Sequence, residues 1–351
     1  MRGLLTWGRL LAAILATGTV ALALGRLPTR AVTTACISPT QDGTLLVTGH
    51  APGASGAILF AADPARTSTT PRALVRALPA GTAIGPSPRG RYIALAEGAR
   101  GLWLVNSDGT GPRRLLPAPP PAPGPTGTRY IDAVAWSPDR YTLAYAVGQP
   151  LGYPRYPAPP RAAPDGIWLV RYDGGTPRLL VSNARLGVDG VNRLSFSADG
   201  RTLAAAADQG RSADNLAVDA STGRSTPLPG AVATADDVQI SPAAPRLAYQ
   251  AVVYIPVPGQ PNTEDAEDGV FVSDARGRRQ TLLVRTSSTS IQDPVWSPDG
   301  RSVAYLWGGP SSRGIVDEVH AVDVATGRVR TLVEMASRQQ FMDLAWMHCQ
   351  S

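Results

Sequence analysis

Short apolar runs, separated by turn-forming residues, recur along the chain from residue 37 almost to the C-terminus. One copy begins at Ala133–Trp136, turns through Ser-Pro-Asp and continues as the alternating run Thr142–Val147. In another copy, a third run at Gly101–Val105 leads through an Asp-Gly turn to a fourth at Arg113–Leu116. Runs of this length, with no helical periodicity between them, predict four short β-strands per copy. We label these strands A to D in chain order.

The turn between strands A and B sets the period of the repeat. Its serine recurs along the sequence at Ser38, Ser87, Ser137, Ser197, Ser241 and Ser297. The mean spacing is about 52 residues, and self-similarity at a fixed period of this size indicates a repeat array. Four strands in each repeat predict an all-β fold, a six-bladed β-propeller of four-stranded antiparallel blades.

The fullest copy, Val295–Tyr305, reads Val-Trp-Ser-Pro-Asp-Gly-Arg-Ser-Val-Ala-Tyr. Together with the Asp-Gly and Thr-Gly turns between strands C and D, it resembles the repeat of the TolB-like β-propellers, which is also found in the propellers of prolyl oligopeptidase relatives. The resemblance covers residues 33–349 and implies the fold, but it implies no function because propellers host unrelated activities. TolB itself carries an N-terminal α/β domain ahead of its propeller, and this sequence shows no counterpart of it. The envelope partners of TolB are therefore not carried over.

The two ends of the repeat region are expected to meet. Phe341–Trp346 repeats the strand A pattern a last time, whereas the first blade has a strand B near Thr44 without a secure strand A before it. We therefore expect the C-terminal strand to join blade 1 as its innermost strand and to close the ring. Cys36 and Cys349 flank this joint, and an even pair in an oxidising compartment favours a disulfide bridge, which would stabilise by on the order of 5 kcal/mol. Two free buried thiols are the alternative.

Residues 1–31 have the pattern of an export signal. Arg2 and Arg9 flank its start, Leu10–Leu24 is the apolar run, and Thr29-Arg-Ala31 offers small residues for cleavage. The run is short for a membrane span, which needs about 20 residues, although an uncleaved N-terminal anchor stays open. Either way we expect the propeller, residues 32–351, outside the cytoplasm, as a secreted, periplasmic or membrane-anchored domain.

The composition argues against some functions. The chain has 33 basic and 27 acidic residues, a formal net charge of +6, and no lysine at all, which excludes lysine chemistry. The arginines are scattered singly or in pairs, without a basic stripe interleaved with aromatic residues. Nucleic acid is therefore not an expected partner.

In an antiparallel blade, the A–B and C–D turns open on one side of the disc, and the B–C and D–A connections open on the other. We call these sides the turn face and the loop face. The turns are tight, whereas the long insertions fall in B–C or D–A positions. We predict that all four insertions lie on the loop face, where local function belongs: Pro117–Thr128, Gly148–Asp165, Pro256–Asp268 and Gly308–Asp317.

The loop face is also predicted to receive acidic residues from the D–A loops, just ahead of strand A. We expect them around the mouth of the central channel: Asp132, Asp236, Asp237, Asp293 and Asp343. As a functional site, this acidic ring would bind a cation or a basic partner segment. As structural residues, the same aspartates would hold their turns by accepting backbone N–H bonds. Glu264–Asp268 lacks the residue order of a calcium-binding loop and is interpreted as a solvated acidic loop.

Sequence motifs for catalysis are lacking. There is no Gly-x-Ser-x-Gly elbow, and no residues remain for an α/β-hydrolase domain. His50, His320 and His348 have no metal-binding spacing, so neither a metal nor a cofactor is expected. We expect His320 to pack in the third strand of its blade.

These observations favour a monomeric, non-catalytic binding or scaffolding module of the cell envelope. Its expected partner is an envelope protein or peptide segment, a basic one if the acidic ring is functional. It would contact the membrane only through an uncleaved N-terminal anchor. The main alternative is a carbohydrate- or peptide-processing hydrolase that uses acids of the loop face, and a third is a purely structural or sensor domain of an anchored protein.

Overall fold

The structure is a computed structural model that describes most of the repeat region. The described residues are 43–50, 56–68, 70–121, 128–149, 164–208, 215–257, 264–287, 290–311, 314–334 and 340–348. Within them, every sheet has four strands and neighbouring strands run antiparallel. No helix in this part of the chain is long and apolar enough to cross a bilayer.

The strands of the first three repeats are, in chain order, β1 (Thr44–His50), β2 (Ala57–Ala62), β3 (Arg72–Leu78), β4 (Ala83–Pro86), β5 (Tyr92–Ala96), β6 (Leu102–Asn106), β7 (Arg113–Leu116), β8 (Tyr130–Trp136), β9 (Thr142–Gly148), β10 (Gly166–Arg171) and β11 (Arg178–Ser182). A one-turn helix, α1 (Asn183–Leu186), follows. The remaining strands are β12 (Gly190–Phe196), β13 (Thr202–Asp208), β14 (Leu216–Asp219), β15 (Ser225–Pro227), β16 (Asp236–Ile240), β17 (Arg246–Pro256), β18 (Glu264–Asp274), β19 (Thr281–Thr286), β20 (Ser290–Trp296), β21 (Ser302–Ser311), β22 (Gly314–Asp323), β23 (Val329–Glu334) and β24 (Gln340–Met347). A short 3₁₀ turn, Gly230–Val232, lies between β15 and β16.

The sheets confirm the predicted six-bladed propeller. Five of them use four consecutive strands, β4–β7, β8–β11, β12–β15, β16–β19 and β20–β23, each in the order A to D. The sixth has the order β24-β1-β2-β3, so that the C-terminal strand is strand A of blade 1. Its register runs from Thr44↔Met347 to His50↔Gln340. The prediction of ring closure by the C-terminal strand is therefore confirmed, whereas Cys36 and Cys349 lie outside the described residues and their bridge stays a prediction.

The Ser-Pro-Asp-Gly sequence closes the A–B hairpin of blade 6 through local hydrogen bonds. In blade 6, the Ser297 hydroxyl accepts from the Ser302 N–H at 2.9 Å and donates to Asp299 Oδ1 at 2.6 Å. The same Asp299 oxygen accepts the Arg301 N–H at 3.0 Å. Gly300 has φ +69, and a Cβ there would meet Ala243 Cβ at 2.9 Å. The turn thus needs a glycine both for its backbone and for its contact with the preceding blade.

The hydrophobic core consists of clusters between neighbouring blades. One cluster joins blades 3 and 4 through Ile167, Leu180, Leu194 and Leu203, all buried. Because sheets cover the inner strands on both sides, strand B is apolar on both of its faces, as in the fully or nearly buried run Leu203–Ala207. The core therefore holds each blade to the next rather than filling a single centre.

The insertions of blades 5 and 6 differ from the prediction. Their described residues largely continue strands B and C, because β17 pairs with β18 as far as Pro256↔Glu264 and β21 pairs with β22 as far as Ser311↔Gly314. Extending the hairpin satisfies backbone N–H and C=O groups that a loop would leave to water. All four insertions nevertheless follow a B or a D strand, so the antiparallel order places their ends on the loop face, as predicted.

Candidate functional site

The innermost strands of the blades enclose a central cavity of about 400 Å³. Each blade contributes lining residues from its strand A. The residues that matter for its chemistry are Ile84 of blade 2, Asp132 of blade 3, Arg193 of blade 4, Asp237 of blade 5, Asp293 of blade 6 and Asp343 of blade 1. The cavity is therefore the place where charged side chains from five blades converge.

Irregularities in the inner strands aim these side chains. The pairing of strand A with strand B shifts register in five blades: near Asp132, Asn192, Asp237, Asp293 and Met342. Asp237 and Asp293 also have positive φ angles of 52°. A β-bulge adds a residue to one strand and re-aims its side chain, and such bulges are frequent beside functional sites. The acids therefore lie within strand A itself, which corrects their predicted place in the D–A loops ahead of it.

A buried guanidinium holds three of these acids together. Arg193 Nε lies 3.3 Å from Asp237 Oδ1, and Arg193 Nη2 lies 3.1 Å from Asp343 Oδ1. The same Nη2 also pairs with Asp293 Oδ1. The Arg193 side chain is only 14% exposed. Four blades thus meet in one ionic cluster.

Backbone donors extend the cluster to a fifth blade. Asp343 Oδ2 accepts the N–H of Ile84 in blade 2 at 2.7 Å, and Asp343 Oδ1 accepts the N–H of Leu344 at 2.9 Å. Asp237 Oδ2 accepts the Asp293 N–H at 3.3 Å. Asp293 Oδ2, by contrast, is buried and has no hydrogen-bond partner among the described residues. We name Arg193, Asp237, Asp293 and Asp343 the channel cluster.

The protonation of the channel cluster follows from its burial and charges. Burial raises the pKa of Asp293 to about 8, since the lowering effect of Arg193 is partly offset by Asp343 and Asp237. Burial likewise raises the pKa of Asp343. Burial lowers the pKa of Arg193, but the carboxyl groups of Asp293, Asp343 and Asp237 raise it by a larger amount. The pKa of Arg193 is therefore raised overall, and the guanidinium stays charged. Near neutral pH the cluster therefore holds one cation, and Asp293 is its protonated carboxyl.

This protonation predicts a pH dependence of stability. The pKa of Asp293 is about 8 in the folded protein and about 3.9 in an unfolded chain. Between these values the folded state binds the additional proton, so the free energy of unfolding falls as the pH rises, by up to about 1.4 kcal/mol per pH unit. Asn imitates the protonated carboxyl. Asp293→Asn should therefore match the wild-type stability near about pH 4 and exceed it by a growing amount up to about pH 8.

Urea unfolding across this pH range measures the effect. Asp299→Asn is the matched control, because Asp299 lies in a turn of the same blade, outside the cavity. The free energy of unfolding of the Asp299→Asn protein should change with pH as it does for the wild type, and should differ from it by a constant amount. An Asp293→Asn protein that keeps the full wild-type slope would contradict the assigned proton.

The predicted acidic ring is only partly assembled as one site. Asp237, Asp293 and Asp343 meet on Arg193, and Asp132 lines the same cavity. Asp236 is exposed at the start of β16, and its pKa is raised by partial burial and by the carboxylates of Asp237 and Asp268.

The sequence interpretation missed Arg193. The available signal was its alignment: Arg193, Asp237 and Asp293 each stand four residues before the serine of their A–B turn, at Ser197, Ser241 and Ser297. One basic residue at the position that holds an aspartate in the next two blades points to an ion pair across the channel.

Other acids of the loop face link neighbouring blades. Asp268 Oδ2 accepts the N–H of Ile291 at 3.3 Å, and Asp317 Oδ2 accepts the N–H of Phe341 at 3.0 Å. Each carboxylate stands on strand C and bonds to strand A of the following blade. Glu264–Asp268 is therefore part of β18 rather than the solvated loop that was predicted.

The histidine that the structure describes in blade 6 is placed as expected. His320 lies on β22, the third strand, stacks on Trp307 at 5.3 Å between ring centroids and contacts Glu318 Oε2 at 2.7 Å. Within the described residues, no group of three or more His, Cys, Asp or Glu side chains is arranged to hold a metal ion.

Comparisons with known proteins concern the fold. No protein-family model and no curated protein sequence matches the chain. Among solved structures, TolB of Acinetobacter baumannii is similar with a TM-score of 0.59 at 14% identity, over 86% of this chain and 67% of that one. A putative TolB of Agrobacterium tumefaciens has a TM-score of 0.52 at 17% identity, over 79% of this chain and 94% of that one. A chain of a nidogen/laminin complex has a TM-score of 0.57 at 10% identity, over 86% of this chain and 97% of that one.

Identities this low describe architecture rather than activity. The strand order, the ring closure and the structural neighbours agree. In its fold, the chain is a six-bladed β-propeller that is similar to the solved TolB structures.

Proposed function

We propose that the protein is an exported, non-catalytic binding module of the cell envelope, and that its loop face takes a basic segment of a protein partner. The observation that carries this proposal is an excess of carboxylates on that face. The described acids there are Glu97, Asp132, Asp165, Asp189, Asp236, Asp237, Glu264, Asp265, Glu267, Asp268, Asp293, Asp317, Glu318, Glu334 and Asp343. The described arginines there are Arg76, Arg100, Arg129, Arg185, Arg193 and Arg285.

Several of those arginines are already paired within the chain. Arg129 lies 2.6 Å from Asp165, and Arg285 lies 3.6 Å from Glu267. The exposed acids Asp236, Glu264 and Asp265 extend from the channel mouth along the hairpin of blade 5. Because burial and the neighbouring carboxylates of Asp237 and Asp268 disfavour the ionised form of Asp236, an incoming cation would be stabilised there.

The channel cluster supports a binding role over a hydrolytic one. A hydrolase would need a carboxyl with a raised pKa that reaches its substrate. Asp293 has the raised pKa, but its Oδ1 pairs with Arg193 and its Oδ2 is buried. Asp343 is likewise occupied by Arg193 and by two backbone N–H groups. These carboxylates connect blades.

Binding of a fluorescein-labelled arginine-rich peptide to the purified protein tests the proposal. At about 0.1 M salt, Asp236→Asn with Asp265→Asn should weaken binding roughly threefold to tenfold, since exposed charge pairs contribute about 0.2–1 kcal/mol each. The matched control is Asp173→Asn with Asp299→Asn on the turn face, which changes the net charge equally and should leave binding within about twofold.

Three results would contradict the proposal. They are equal weakening by both pairs of substitutions, no peptide binding by the wild-type protein, and cleavage of the peptide seen by mass spectrometry. Equal weakening would show that binding depends only on the net charge of the protein. Cleavage of the peptide would show that the protein is an enzyme.

A further inference from the structure

The turn face carries the opposite charge. Five blades carry an arginine in the A–B turn or at the first residue of strand B: Arg91, Arg140, Arg201, Arg246 and Arg301. All five are exposed. They lie three to five residues after the serine of the A–B turn, so the arrangement of the blades distributes them around the channel on this side. The ring follows from the propeller symmetry and not from a run of basic residues in the sequence, which is why the sequence shows no basic stripe.

The C–D turns add a second, outer set of exposed arginines to the same face: Arg66, Arg113, Arg171, Arg178, Arg224, Arg276, Arg278, Arg279 and Arg328. The acids of this face are fewer, namely Asp63, Asp108, Asp139, Asp173, Asp199, Asp219, Asp274, Asp299 and Asp323. Most of these carboxylates accept hydrogen bonds within their own turns, as Asp219 does from Ser221 and Thr222. The turn face therefore presents a net positive surface of guanidinium groups.

The arginines are most concentrated in a cleft between blades 5 and 6. Its volume is about 760 Å³, and Arg246, Arg279 and Arg301 line it. Arg246 and Arg279 form no ion pair with a described carboxylate, and Arg301, 83% exposed, lies 3.8 Å from Asp299.

Two acids also line this cleft, but both are engaged in turns. Asp274 accepts the N–H groups of Arg276 and Arg278, and Asp323 accepts that of Thr326. Unpaired guanidinium groups beside occupied carboxylates suit an anionic oxygen ligand, for which arginine provides paired donors.

The N-terminal segment connects to the same face. Gly43 immediately precedes β1, which is strand B of blade 1, so the chain enters the propeller from the turn face. The apolar run Leu10–Leu24 lies before it in the sequence.

We propose that the turn face lies on an anionic lipid surface, with Arg246, Arg279 and Arg301 as its principal headgroup contacts. Anionic lipids attract basic residues near the membrane, and the attraction decays within a Debye length. The ring and the cleft place these side chains on one side of a rigid disc, so they can contact the bilayer together.

The test uses residues 32–351, which contain every described strand, and vesicles of phosphatidylcholine with or without about 30% phosphatidylglycerol. The wild-type protein should sediment with the anionic vesicles and not with the neutral ones. Arg246→Gln with Arg279→Gln and Arg301→Gln should reduce partitioning roughly 100-fold, at about fivefold per arginine. The melting temperature should change little because the three side chains are exposed.

The matched control is Arg100→Gln with Arg185→Gln and Arg285→Gln on the loop face. It removes the same charge and should leave partitioning within about twofold. Should the triple variant of the cleft fail to fold, Arg301→Gln alone should still show the loss of about fivefold.

Equal losses in both triple variants, or equal binding to neutral vesicles, would overturn the proposal. A third arm titrates inorganic phosphate into the same protein. Saturable phosphate binding that displaces the protein from vesicles would assign the cleft to free phosphate and overturn the membrane contact.

Discussion

Removal of β24 abolishes the folded propeller. A chain that ends at residue 339 should show no cooperative thermal transition. It would lose the innermost strand of blade 1 and the buried side chains of Phe341, Leu344, Trp346 and Met347. Truncating one large buried side chain typically costs about 2–5 kcal/mol, and the whole free energy of unfolding of a domain is about 5–15 kcal/mol. The loss therefore exceeds what the rest of the ring supplies.

The position of β24 explains the size of this effect. Phe341, Leu344 and Trp346 pack with residues of blade 6, whereas Met347 packs in the cluster between blades 1 and 2. The strand also carries Asp343 of the channel cluster. Its removal would thus open the ring and leave β1 as an unpaired edge, which invites aggregation.

Circular dichroism melts with reductant in every sample measure this prediction. The control ends at His348, so it lacks Cys349 but keeps β24, and it should melt as the reduced full-length chain does. Addition of a synthetic peptide of residues 339–351 to the shortened chain should restore a transition. A cooperative melt of the shortened chain alone, near the control temperature, would show that β24 does not hold the ring closed.

Arg193→Met destabilises the propeller by about 3–5 kcal/mol at about pH 8, because it removes the cation that pairs with Asp237, Asp293 and Asp343. The side chains of Asp293 and Asp343 are only 8% and 11% exposed, so water compensates little for the lost partner. At lower pH the carboxylates take up protons, and the folded state of the variant binds more protons than its unfolded state. The loss should therefore shrink towards about pH 5.

Urea unfolding of this variant at the two pH values measures the loss. Arg185→Met is the control, since Arg185 is exposed on α1, and it should cost less than about 0.5 kcal/mol. Adding Asp293→Asn and Asp343→Asn to Arg193→Met should recover much of the stability, because neutral amides replace the unpaired charges. An Arg193→Met protein as stable as the Arg185→Met control would refute the structural role of the cluster.

The channel cluster changes which residues are expected to bind a basic partner. Asp293 and Asp343 were candidates for contact with a partner, but Arg193 already supplies their cation from within the chain. Substituting both would disturb stability as well as charge. The exposed Asp236 and Asp265 are therefore the better test of binding, because they are not part of the channel cluster.

The sequence by itself determined the blades, their number, the two faces and the strand that closes the ring. The reason is that this information is local. The Ser297 turn forms its hydrogen bonds within the six residues from Ser297 to Ser302, and the alternation of apolar residues specifies each strand without reference to the rest of the chain. The additional strand A pattern at Phe341–Trp346 can likewise be recognised from the sequence, because it follows the last complete repeat.

Only the tertiary structure decided the chemistry of the channel. Arg193 meets Asp237, Asp293 and Asp343 across separations of 44, 100 and 150 residues. Bulges in the inner strands, and positive φ angles at Asp237 and Asp293, aim these side chains inward. The closed ring brings distant blades together and thereby decides which carboxyl groups contact the guanidinium. No local sequence pattern encodes a contact between residues so far apart in the chain.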